Sequence, residues 1–214
     1  MTNRARTFFS LVALLALGTT GTAVTTTTLG CDVVNDAADA LNIPIEFDHT
    51  VNFGADIGQV TGRAAGQPSP EAASFPIETG AVPVDLISQS SELAANREKV
   101  RRLELTEITV RPTSNTLTSA SPPLDLYIGP KGATTKDQGV RIATIPSIPA
   151  GSTTAVSATI VAAGIDAAQQ HLLTFDFVVI PAGTLSVAAG ETVPDGAMDL
   201  ALTLGVKAVL NPTK

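Results

Sequence analysis

Tryptophan is missing from this chain of 214 residues, and tyrosine occurs once, at Tyr127. Phenylalanine adds seven rings, two of them at Phe8 and Phe9. Flat aromatic platforms for sugars are therefore scarce, and any core is aliphatic. Cysteine also occurs once, at Cys31, which excludes an intramolecular disulfide framework. One cysteine and two histidines, His49 and His171, leave too few nitrogen and sulfur ligands for an ordinary zinc site. Positive charge is sparse as well. From Cys31 onward there are 11 Lys/Arg against 20 Asp/Glu, a net charge of −9. That balance excludes nucleic acid as a partner, because phosphates must be neutralised by basic side chains. It equally argues against broad electrostatic adsorption to anionic lipid. No Gly-x-Ser-x-Gly, Walker loop or dinucleotide fingerprint occurs.

The first thirty residues carry an address. Arg4 and Arg6 make a short positive start, and residues 8–17 (FFSLVALLAL) are apolar apart from Ser10. A bilayer-spanning helix needs roughly 20 apolar residues, so this stretch is too short to cross. Positive, apolar and small-residue segments in that order read as a secretory signal over residues 1–30. It ends at Leu29-Gly30-Cys31. This layout resembles the lipobox leader of bacterial lipoproteins, in which the cysteine is lipidated and becomes the first mature residue. Gly30 matches the pattern; Thr28 and Leu29 stand where the pattern has leucine and then a small residue. The resemblance implies a lipid on Cys31, a place in the cell envelope on the inner or outer membrane, and a membrane as partner through that lipid. Cleavage after Gly21-Thr22-Ala23, leaving a free Cys31 in a secreted protein, is the alternative. The resemblance covers the leader alone.

Residues 31–42 form a tether in which Val34, Ala37, Ala38 and Leu41 allow a short helix. Residues 43–214 are expected to form one domain. The first strand spans residues 43–53, with Ile43, Ile45, Phe47, His49, Val51 and Phe53 on one face and polar residues on the other. Short strands are expected near residues 56–65 and 74–79. One helix is expected over residues 85–102, with Leu86, Leu93 and Val100 seven apart, Asp85 as cap and Arg97, Lys99, Arg101 and Arg102 at its end. Residues 103–111 alternate with a slip of phase that calls for a bulge near Thr106 and Glu107. Further strands fall at residues 124–128, 140–146, 154–161 and 172–180, with a helical turn from Gly164 to His171. The even-numbered row from Met198 to Leu210 is the strongest strand and belongs at the centre of a sheet. Ile148-Pro149-Ala150-Gly151 recurs as Ile180-Pro181-Ala182-Gly183, and both copies fit turns. Together these features predict a mainly β protein: an antiparallel, Greek-key-like β-sandwich with one inserted helix.

Candidate chemistry is thin. His49 on an apolar face reads as a satisfied core or rim residue. Glu46 and Asp48 share the polar face of a strand, where alternation alone puts acids. Asp176 between Phe175 and Phe177 reads as a structural acceptor or an edge residue. Asp137-Gln138-Gly139 and Asp195-Gly196 offer oxygen ligands of the kind calcium takes, but both are ordinary turn sequences. Tyr127 reads as a partly buried strand residue. No catalytic residue, metal site or cofactor is assigned, and the protein is read as non-enzymatic. The expectation is an acidic β-sandwich held at a membrane by Cys31, in a structural or binding role toward a protein or polymer. The alternatives are a hydrolase working through carboxylates and a calcium-dependent adhesion module.

Overall fold

A computed structural model describes residues 44–61 and 66–211. Cys31 and the residues expected to form the signal segment and the tether helix lie outside the described residues. In chain order the strands are β1 (Ile45–Asp56), β2 (Ala73–Glu78), β3 (Val82–Asp85), β4 (Val100–Asn115), β5 (Leu124–Pro130), β6 (Val140–Ile145), β7 (Val156–Ser157), β8 (Thr159–Ile160), β9 (Asp176–Val187) and β10 (Ala197–Leu210). Five short helices interrupt them: α1 (Ile57–Thr61), α2 (Leu86–Gln89), α3 (Ser91–Asn96), α4 (Ala162–Ala167) and α5 (Gln169–Leu172). The first sheet runs β1-β10-β4-β7. The second runs β2-β9-β5-β6-β8, with β3 also on β9. Every pairing is antiparallel, and the sheets pack face to face as a β-sandwich.

The even-numbered row of β10 does take the centre of its sheet, between β1 and β4. Leu200, Leu202 and Leu204 are fully buried against Ile108 and Val110 of β4 and the inner face of the second sheet. Burying one such leucine stabilises by roughly 1.5–3 kcal/mol. The predicted bulge lies at Thr106: Gly205 pairs with Glu107 and Val206 with Leu105, so Thr106 is skipped. Its hydroxyl donates to the Gly205 carbonyl at 3.2 Å and fills the break.

Several expectations need correction. The single helix over residues 85–102 is broken into α2, α3 and a 3-10 turn at Arg97–Lys99, and β4 begins at Val100. Ser90 is extended, and its hydroxyl accepts from the Leu93 amide at 3.1 Å, starting a second helix where the first should continue. Asp85 does cap the first piece, accepting from the amides of Ile87 and Ser88. Leu86 and Leu93 are both fully buried, so the seven-residue spacing reports core contact without helical continuity. Where the strand expected at 56–65 should begin stands α1, started by the Asp56 carboxylate accepting from the Gln59 amide at 3.1 Å; residues 62–65 lie outside the described residues. The strand expected from residue 172 starts at Asp176. The amides of Leu173, Thr174 and Phe175 are held by helical carbonyls, and Phe175 turns the chain out with φ +62°.

The two Ile-Pro-Ala-Gly copies differ. The first is a turn, with the Ser152 amide on the Pro149 carbonyl at 3.1 Å and Gly151 at φ +66°. The second lies inside β9. The Pro181 carbonyl accepts from Thr79, in the loop between β2 and β3. The missing N–H of Pro181 faces the same gap, so no ladder bond is lost. Residues 154–161 are two strands, since Ala158 hands the chain from β4 to β6 and ties the two sheets along one side. Gly164 makes this crossing close: a Cβ there would strike the Arg141 carbonyl.

Candidate functional site

A groove of about 520 Å³ lies at the end of the sandwich where β1 finishes. Its walls come from β1 (Gly54, Ala55 and Asp56), α1 (Gln59 and Val60), the end of β2 (Ile77 and Glu78) and β10 (Ala197 and Asp199). Three carboxylates line it. Asp56 is held by its bond to the Gln59 amide. Glu78 accepts from the Lys136 amide at 3.1 Å. Asp199 lies across Gly54, where a Cβ would come within 2.9 Å of its Oδ1 and the carboxylate would have to turn aside. Among the described residues no histidine, cysteine, lysine or arginine lines this groove. It can attract cationic groups or accept hydrogen bonds from hydroxyls. Among the described residues no three His, Cys, Asp or Glu side chains are grouped to hold a metal ion.

The opposite end is where the chain enters the domain. Ile45 pairs with Ala208, which pairs with Leu103, and the Asn211 amide donates to the Lys99 carbonyl. The basic run lies here. Arg97 stacks over the Phe175 ring at 5.6 Å, and Arg102 contacts Asp166 at 2.6 Å and Glu104 at 3.7 Å. The expectation that this run sits at the end of one long helix fails with that helix. Arg101 and Arg102 belong to β4. The sandwich thus has acids in the groove at one end and a mixed, basic-bearing surface at the other. β1, 12 residues long, separates them by roughly 36 Å.

His49 is buried on the inner face of β1 opposite Leu204, as its alternation requires, with 4% exposure. It is not satisfied, however: neither ring nitrogen has a hydrogen-bond partner among the described residues. Burial pushes its pKa below the usual value, and the charge of Asp85 draws it partly back up. His171 lies on α5 with its Nε2 3.4 Å from Gln170 Nε2, far along the chain from His49 and outside the groove. Glu46 and Asp48 point to solvent on β1, across from Lys207 and Gly205. Asp176 is a structural acceptor, with the Lys131 ammonium 2.5 Å from its Oδ2. That hydrogen bond, then the charge of Asp176, raises Lys131 above its ordinary value. Tyr127 packs half-buried with Ala133, Val178 and Ile180 on the outer face of the second sheet. Asp137 sits exposed in a 3-10 turn at Lys136–Gln138. Asp195 closes its own turn, accepting from the Gly196 amide at 2.6 Å.

The groove acids escaped the sequence reading. Asp56 and Asp199 are 143 positions apart and meet only because β1 pairs with β10 in one register. Nothing local signals that pairing; the glycine opposite Asp199 is the one trace left in the sequence.

No family model matches the chain, and no curated protein matches it. Among solved structures it is similar to a chain of Desmodium yellow mottle tymovirus. That match has 13% identity and a TM-score of 0.21, covering 90% of this chain and 96% of that one. No helix among the described residues is long and apolar enough to cross a membrane.

Proposed function

We propose that the protein is an exported, lipid-anchored and non-enzymatic component of the cell envelope, whose acidic β-sandwich binds a protein or polymer partner. The observation that carries this reading is the leader: Arg4 and Arg6, the apolar residues 8–17, and a lone cysteine at Leu29-Gly30-Cys31. Thirteen residues separate Cys31 from Ile45, so the tether reaches at most roughly 45 Å. Two or more acyl chains on Cys31 would hold the domain durably, whereas one anchors only marginally. In this arrangement the end bearing Lys99, Arg101, Arg102 and Lys207 lies nearest the tether. The groove of Asp56, Glu78 and Asp199 lies at the far end of β1, open to a cationic or hydroxyl-rich partner. Cys31→Ser tests the anchor: the variant should move from the membrane to the soluble fraction, and a variant that stays in the membrane overturns it. Crosslinking on intact cells tests the binding role, with Asp56→Asn and Glu78→Gln expected to lose the crosslinked partner. The convergence of three carboxylates on one groove favours one second reading, a carboxylate-based hydrolase. Turnover of a glycoside or ester that Asp199→Asn abolishes would decide for it.

A further inference from the structure

A β-sandwich has four lateral edges, and here three of them are blunted. β7 and β8 are two residues each and belong to one segment that crosses between the sheets. β2 and β3 are short and carry Pro76 and Pro83. Short strands and prolines are the usual protection against edge-to-edge pairing. β1 has none of it. It runs 12 residues as the terminal strand of its sheet, pairs with β10 without a register shift, and contains no proline, lysine or arginine. Its free edge is a row of backbone donors and acceptors that no described strand pairs.

We infer that β1 is the surface through which two copies of this chain associate, by antiparallel β1–β1 pairing about a two-fold axis at Thr50. An axis at His49 also keeps like charges apart, but only the axis at Thr50 sets Phe47 opposite the partner's Phe53 as well. On the outer face Glu46 comes opposite the partner's Gly54, Asp48 opposite the partner's Asn52, and Thr50 opposite its own copy, so no two charges of like sign meet. Shifting the axis to Val51 would set Glu46 against the partner's Asp56. On the inner face Phe47 comes opposite the partner's Phe53, and Val51 opposite the partner's His49. Phe47 and Val51 are only partly buried in the single chain, while Ile45, His49 and Phe53 between and beside them are buried. Pairing therefore covers the two apolar side chains that the edge leaves partly open, and aromatic cross-strand pairs are among the favourable ones. The eleven residues 45–55 overlap fully, and the two four-stranded sheets become one continuous sheet.

The purified full chain tests this directly. Cα atoms of directly opposed antiparallel residues lie about 4.5–5.5 Å apart, within disulfide range. Thr50→Cys should give, on oxidation, a dimer whose peptide map links position 50 to position 50. Thr109→Cys, on the outer face of β4, should not. Thr50 is exposed, with its hydroxyl sharing one bond with that of Thr203 at 3.0 Å, so folding should tolerate the change. Sedimentation of Asn52 variants supplies a second reading. Asn52→Lys, opposite the partner's Asp48, should tighten association by roughly 2- to 30-fold, and Asn52→Asp should weaken it by a similar factor. A protein monomeric at every concentration would overturn the inference. A dimer without the 50–50 link, or one indifferent to the charge at Asn52, would overturn it equally.

Discussion

Replacing His49 with leucine should make the protein more stable and less sensitive to acid. His49 is 4% exposed, and both ring nitrogens lack partners among the described residues. A buried polar group without a partner costs roughly 1–3 kcal/mol. Leucine differs in shape, and imperfect packing takes back about 1 kcal/mol of that. The expected gain at neutral pH is about 0–2 kcal/mol, or up to roughly 8 °C in Tm for a protein of this size. The pH dependence has a definite sign. The folded-state pKa of His49 is lowered from 6.5, first by burial, with Asp85 opposing. Above that value both folded and unfolded chains carry neutral imidazole, and the contribution is constant. As pH falls below it, the unfolded chain binds a proton that the folded chain does not. Stability is then lost with falling pH until the folded-state pKa has been passed. Urea denaturation of both proteins at about pH 7.5 and about pH 5.5 reads this out. The natural protein should lose more stability over the interval than the leucine variant. Parallel losses, or a leucine variant less stable at neutral pH by more than about 1 kcal/mol, would refute the reasoning.

Other substitutions test other contacts. Leu202→Ala, at a fully buried position in the central strand, should cost about 2–5 kcal/mol in urea denaturation. Gly164→Ala should destabilise by about 1–3 kcal/mol or more, because its methyl meets the Arg141 carbonyl rather than a flexible side chain. Asp85→Ala removes the acceptor for two amides at the start of α2 and should cost about 0.5–2 kcal/mol. It also deletes the charge that raises His49, so the acid loss should extend to lower pH. Added calcium should leave Tm unchanged in differential scanning calorimetry, since Asp137 and Asp195 sit in separate turns and the Asp195 carboxylate already accepts from the Gly196 amide.

What could be read in advance was what alternation encodes. The odd-numbered face of β1, the even-numbered row of β10 and even the bulge at Thr106 follow from which neighbours are apolar, because a one-residue slip would expose the whole row. What could not be read was decided by competition or by distance. Leu86 and Leu93 keep a helical spacing, yet Ser90 offers its hydroxyl to the Leu93 amide and restarts the helix. Phe175 alternates with Phe177 but is claimed by the end of α5. Pro181 stands in a central strand only because the gap between β2 and β3 falls beside it, which no local pattern announces. The groove acids and the unpartnered state of His49 depend on strand registers, so neither was visible from spacing. The calculus differs for Cys31, whose meaning comes from the leader rather than from any packed neighbour.

The central claim is that this β-sandwich hangs from a membrane by Cys31. The mass of the N-terminal peptide, taken from protein in native membranes, tests it most directly. A peptide that begins at Cys31 and carries two or three acyl chains is the predicted result. An unmodified peptide beginning at Val24 would contradict it, leaving a secreted protein with a free thiol.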